Sequence, residues 1–207
     1  MVRFHHQPFT YKHEWQTVTA AIWQKYPNPF ARHVLTADVI ERTTDPVTGK
    51  SYAEQEGERR LYMNAASRLR LRIMHTTRLF TKAGMMPKWG RTFFNVAGTA
   101  YIIEHSTIDP ITRVMTTQTR NLSHSKLMLV LETQRIRPHH ENPDWTVADT
   151  EAKIISNTAF APLRGRVEEF GVSKFRENCI KSSNGLLRVI QRLIGKADPH
   201  EFAWEPL

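Results

Sequence analysis

Apolar residues recur along this chain with two periods, and each period marks a different kind of element. Trp15, Val18 and Ile22 fall at i, i+3 and i+7 and share one face, so a helix is predicted over about residues 14 to 25. Period-two alternation predicts strands instead. These run over residues 2 to 12, Val34 to Arg42, Thr76 to Lys82, Thr99 to Thr107, Val114 to Leu122, Leu127 to Arg137 and Trp145 to Thr158. Arg68 to Ile73 also alternates and reads as a strand. Turn chemistry separates these runs at Asp45-Pro46-Val47-Thr48-Gly49, at Asp109-Pro110, around Asn121 to Ser125 and between Pro138 and Pro143. A long helix closes the chain from about Leu163 to Gly195. Short strands at close spacing followed by one long helix imply an α+β architecture. In it a curved antiparallel sheet has a helix available to cover its concave face.

Between the first helix and the second strand lies Lys25-Tyr26-Pro27-Asn28-Pro29-Phe30-Ala31-Arg32-His33-Val34-Leu35. Each proline removes an amide donor, fixes φ and pushes its predecessor towards extended geometry. The helix must stop near Tyr26 and a strand must start near Arg32. Such a stiff corner holds the Lys25 cation and the His33 imidazole in fixed relation, as an anion site needs; by itself it is only a turn.

The closing helix carries a second cationic signal. Lys174, Asn178 and Lys181 lie at i, i+4 and i+7 in a stripe that runs back through Val167, Phe170 and Gly171 and on to Gly185. Lysines at this spacing commonly lie at a rim and snorkel. A functional reading needs an apolar inner sheet face and a ligand with a long apolar part and an anionic head.

Composition narrows the partner classes. The 207 residues suit one large domain, and 29 basic against 20 acidic residues give a net charge of +9. That balance favours an anionic partner: nucleic acid, an acidic membrane surface or an acidic ligand. Cys179 is the one cysteine, so neither an internal disulfide nor a cysteine-based zinc site is available. The ten histidines show no metal spacing. No 18-residue apolar run is present, and the N-terminus has neither a signal core nor an Arg/Ser-rich presequence pattern.

Four groups of residues resemble the PRELI/Ups proteins. They are Tyr26-Pro27-Asn28-Pro29-Phe30 with His33-Val34-Leu35; Thr76-Thr77-Arg78-Leu79 with Pro87 and Trp89; Met115-Thr116-Thr117-x-Thr119-x-Asn121-x-x-His124; and Val167-Glu168 with Lys174-Phe175-x-x-Asn178. Their order and spacing agree from residue 1 to about 196, apart from residues 53 to 75. The resemblance implies a START-like fold of about seven strands, with a long C-terminal helix closing an apolar cavity and a mobile lid loop. It implies non-enzymatic transfer of phosphatidic acid across the mitochondrial intermembrane space, supporting cardiolipin synthesis. It also implies a small helical-hairpin partner rich in paired cysteines, which aids import, and contact with acidic membrane surfaces. No cofactor or metal is implied.

Roles follow residue by residue. Lys25, His33, Lys82, Lys174, Asn178 and Lys181 are the positions expected to face the lipid phosphate. Met85 stands where some relatives have a lysine. The lid is expected at about Gly84 to Asn95, with Met86, Pro87, Trp89 and Phe93 contacting the membrane. The His33 corner resembles the phosphatidic-acid branch more than the phosphatidylserine branch, which stands as the alternative. A phospholipid in water exposes two acyl chains at about 0.8 kcal/mol per CH₂, so a carrier that hides them removes a cost above about 20 kcal/mol. Lysines desolvated in such a cavity are expected to have lowered pKa values.

Residues 53 to 75 depart from the family. Their five arginines and three glutamates add +2 to the charge. They read as a tolerated hairpin extension, since long loops cost little closure entropy, or as a translated intron. Residues 197 to 207 read as a short tail. Two other functions remain in view. One is a basic nucleic-acid-binding domain, which lacks any RNP-like, zinc-knuckle or basic-helix motif. The other is an enzyme with His33 or His124 as base, which lacks a paired acid or nucleophile.

Overall fold

Seven strands form a single antiparallel sheet in the order β1-β7-β6-β5-β4-β3-β2. The computed structural model describes residues 2–46, 72–83, 98–157 and 161–195. The strands are β1 (Val2–Tyr11), β2 (Val34–Pro46), β3 (Arg72–Ala83), β4 (Thr99–Asp109), β5 (Val114–Asn121), β6 (Met128–Pro138) and β7 (Thr146–Ser156). Among the described residues two α-helices accompany them, α1 (Trp15–Trp23) and α2 (Ala161–Leu193), with a short 3-10 turn at Pro29–Ala31. This is the expected α+β architecture. Strands β2 to β7 form a meander, and β1 closes the far edge by pairing with β7 from Val2↔Ile155 to Tyr11↔Thr146.

The hairpin β2–β3 departs in one detail from the expected return strand at Thr76. Arg72 to His75, read as the end of the insertion, belong to β3, which pairs with β2 from Pro46↔Arg72 to Val34↔Lys82. Residues 53–71 lie outside the described residues. So do the expected lid, with Met85, Met86, Pro87, Trp89 and Phe93, and the tail at 197–207.

Apolar packing fixes α2 across the sheet at two places. Near its middle, Phe175 packs with Ala152 and Ile154 of β7, joined by Met128, Val130 and Val172. Gly171 permits the close approach, because a Cβ there would lie 2.7 Å from Met128 Sδ and 2.9 Å from Ile154 Cγ2. Near its C-terminal end, Leu186, Val189 and Ile190 pack with Trp15, Val18 and Ile22 of α1 and with Met115 and Ile136 of the sheet. A third cluster of Ala31, Val34 and Phe80 lies under the proline corner. Between these three clusters a cavity is left.

Candidate ligand-binding cavity

The cavity floor is one row of the sheet. Register places Arg78 opposite Glu104, Glu104 opposite Thr119, and Thr119 opposite Glu132, so these four point to the same face from four adjacent strands. One row further along the same face are Thr117 and Gln134, also cross-strand partners. The roof is α2, which contributes Asn178, Cys179 and Ser182, and the wall is Ile22, Lys25 and Tyr26 with Phe80 and Lys82. The enclosed volume is about 100 Å³. That is room for a small polar group and its waters, not for the two acyl chains of the expected ligand.

The lining is more polar than the expected apolar cavity. Arg78 and Glu104 account for one pair of charges: Nη2 and Nε of Arg78 donate to Glu104 Oε1 at 2.6 and 2.9 Å. Both side chains are nearly buried, at 5% and 12% exposure. The Arg78 guanidinium also lies 4.8 Å from the centre of the Trp23 ring. A desolvated pair with this geometry is internally neutral and stays together.

Lys25 lies just past the end of α1, whose C-cap is Gln24, and not in its last turn as expected. Its Nζ donates to Ser182 Oγ of α2 and sits 5.4 Å from the Tyr26 ring centre. Asn28 holds this bend: its side chain donates to the Lys25 carbonyl at 2.6 Å and accepts from the Phe30 amide at 3.0 Å. The Lys25 pKa shift runs opposite to expectation. Burial pulls it down, but Tyr26, Tyr11, Glu132 and Glu104 together outweigh burial and raise it. The expectation counted desolvation and overlooked the acidic groups across the cavity.

Lys82 also lines the cavity and makes no hydrogen bond or ion pair among the described residues. Asn178 brings a buried side-chain oxygen, Oδ1, that has no hydrogen-bond partner among the described residues. An unpaired buried amide oxygen costs about 1–3 kcal/mol and is a place where a ligand donor or a water belongs. Cys179 packs against the β7 cluster and also touches the cavity. Burial, reinforced by Glu132, pushes its thiol up to about 12.

His33, Lys174 and Lys181 are not among the cavity-lining residues. His33 is part-buried beside it, close enough to Lys82 and Lys181 for both to depress its pKa, though burial is the larger cause. Lys174 and Lys181 share Glu177, at 2.7 and 2.6 Å, and their side chains are 39% and 47% exposed. They form a rim. The expected stripe is therefore split: Asn178 faces in, and the two lysines flank Glu177 outside. Glu177 sits at i+3 from one lysine and i−4 from the other, the spacing that lets one carboxylate take both.

His124, weighed above as a base, belongs to the turn between β5 and β6. It adopts a φ of 60°, and its carbonyl accepts from the amides of Leu127 and Met128, both at 2.9 Å. Asn121 completes that turn: Nδ2 donates to the carbonyls of Ser123 and Met128, and Oδ1 accepts from the Val130 amide. Among the described residues no group of three His, Cys, Asp or Glu side chains gathers as a metal site.

Sequence reasoning assigned no role to Glu104, Glu132 or Gln134. Each lies in an alternating strand, where a polar residue counts as outward-facing until the register is known.

Known proteins share the sequence pattern and the fold of this chain. The chain is 38% identical over 188 residues to PRELI domain-containing protein 1, mitochondrial, of Gallus gallus, covering 90% of this chain and 75% of that one. It is 32% identical over 199 residues to protein UPS1, mitochondrial, of Saccharomyces cerevisiae, covering 96% of this chain and 99% of that one. Among solved structures, the ZhuI aromatase/cyclase of Streptomyces sp. R1128 has a similar fold. Its TM-score is 0.56 at 10% identity, over 94% of this chain and 96% of that one. The family model described as PRELI-like matches residues 16–63 and 70–196. The chain therefore belongs to the PRELI-like family.

Proposed function

We propose that this protein carries phosphatidic acid between mitochondrial membranes across the intermembrane space, without enzymatic chemistry. The observation that carries this reading is the pair Lys25 and Lys82, two cations facing one enclosed cavity between α2 and the sheet. Lys82 is left open for a ligand among the described residues. A phosphate there replaces lost water with charge-assisted hydrogen bonds, which are roughly twice as strong as neutral ones. The Asn178 amide sits on the same wall, Lys181 adds a cation at the rim, and the depressed pKa of His33 keeps its imidazole neutral beside them. Lys174, Lys181 and the net charge of +9 draw the protein to acidic membrane surfaces. A small cysteine-rich helical hairpin is the proposed protein partner. The resulting supply of phosphatidic acid supports cardiolipin synthesis.

The acyl chains set a further requirement. They do not fit in about 100 Å³, so the gap between α2 and the sheet must widen as lipid enters. Transfer of fluorescent lipids from donor to acceptor liposomes tests the proposal, run over a panel of head groups with and without a cysteine-rich hairpin protein. Phosphatidic acid should move faster than phosphatidylserine, phosphatidylcholine and a protein-free blank. Movement no faster than the blank would refute the function, and a preference for phosphatidylserine would reassign the cargo.

A further inference from the structure

An anionic cargo meets a carboxylate in this cavity as well as two ammonium groups. Glu132 stands on the inner face of β6, in the row that begins with the Arg78–Glu104 pair. That pair is closed on itself. Glu132 has no hydrogen bond or ion pair among the described residues. Its cross-strand partners are Thr119 and Ala152, which carry no charge. The titratable and charged groups sharing the cavity are Lys25 and Tyr26 after α1, Arg78 and Lys82 on β3, Glu104 on β4 and Cys179 on α2. Leaving the closed pair aside, the open charges are Lys25, Lys82 and Glu132, a net of +1 when Glu132 is ionised and +2 when it is protonated.

We propose that Glu132 couples head-group binding to a proton: a phosphomonoester enters with one proton shared between its oxygen and the Glu132 carboxyl, taken up from solvent. This rests on the function proposed above and adds to it a residue that sets pH dependence and cargo charge. Two anions in contact in a partly desolvated site cannot both remain ionised. A phosphomonoester has its second pKa near about 6, so either group can hold the proton near neutral pH. The proton lies between two oxygens, no covalent bond to phosphorus changes, and solvent buffer supplies it. Burial already raises the Glu132 pKa, reinforced by Glu104 and opposed by Lys82 and Lys25. An incoming phosphate neutralises that opposition and drives the carboxyl further towards protonation.

The test uses the full chain with vesicles in which phosphatidic acid is the only anionic lipid. Binding and transfer are measured from pH 6 to pH 8 for the wild type and Glu132→Gln, whose amide donates a hydrogen bond without needing a proton. The wild type should weaken about tenfold more than the variant over that range, since one linked proton is worth up to tenfold per pH unit. The variant should exceed the wild type at pH 8. Calorimetry in buffers of different ionisation heat counts protons directly: the wild type should take up more protons per lipid at pH 7.5 than Glu132→Gln does. Parallel profiles with equal proton counts overturn the inference and leave the carrier function standing. A wild type that binds no phosphatidic acid at any pH overturns both. If Glu132→Gln fails to fold, the wild-type count decides alone, and no net uptake overturns the inference.

Discussion

Asn28 lies directly against Gly185, where an added Cβ would sit 2.9 Å from Asn28 Oδ1. Asn28 is 1% exposed and tied on both sides by backbone hydrogen bonds, so it cannot step aside. The proline corner and α2 therefore meet through a missing methyl group, and that contact sets where Lys25 stands relative to Ser182.

Gly185→Ala should destabilise the protein by about 1–3 kcal/mol through overpacking, despite the helix propensity gained. Gly165, in the same helix, has nothing within 4 Å of its added Cβ. Gly165→Ala should stabilise by about 0.5–1 kcal/mol. Urea denaturation of the two variants checks the contrast. Equal effects would mean that α2 does not dock on the corner as described.

Removing the Lys25 cation should cost both function and stability. Lys25→Met should lower phosphatidic acid transfer at least about tenfold, the scale of one lost hydrogen bond to a charged group. The folded state holds the Lys25 proton more tightly than the free chain does, and its removal deprives Glu132 of one compensating cation, so the melting temperature should fall as well. Transfer assays and thermal melts on the same preparations read both halves.

Glu177 restrains the rim. The two lysines hold its carboxyl down at about 2, through hydrogen bonds first and charge second, so both pairs persist across the working pH range. Glu177→Gln should free Lys174 and Lys181, tighten binding to anionic vesicles and steepen its salt dependence. The melting temperature should move little, because exposed pairs contribute little. Lys174→Glu with Lys181→Glu should weaken vesicle binding and transfer without unfolding the chain. Co-sedimentation at two salt concentrations checks both directions.

His33 should give the folded state a pH-dependent term. Burial depresses its pKa, Lys82 and Lys181 add to that, and Glu177 opposes them. As pH falls below the usual value of about 6.5, the unfolded chain takes the proton first. Stability present above that value is therefore lost as pH falls through the depressed folded pKa. His33→Gln should lose less stability than the wild type between pH 7 and pH 5, measured by denaturant midpoints. A bound phosphate should raise the imidazole pKa, visible in an NMR titration.

The elements were legible because their periods and turn residues agree. Trp15, Val18 and Ile22 announce α1, and Asp109-Pro110 and Asn121 to Ser125 punctuate the meander. Lys82 was legible as a cavity residue only through the family resemblance, whereas Lys25 and Asn178 already stood out in the proline corner and the helix stripe. Glu132 and Glu104 were not, because their meeting depends on register across β3 to β6, which no single strand encodes. The rim position of Lys174 and Lys181 was readable in principle. Glu177 stands between them at salt-bridge spacing, but a stripe drawn through i, i+4 and i+7 passes it by.

Native mass spectrometry of the full chain after exposure to vesicles of equal phosphatidic acid, phosphatidylserine and phosphatidylcholine content addresses the central claim most directly. A carrier whose cavity holds a phosphate on Lys25 and Lys82 should return with one phosphatidic acid per chain, and Lys25→Glu should return empty. A wild type that returns without lipid, or loaded in proportion to vesicle composition, would contradict the account.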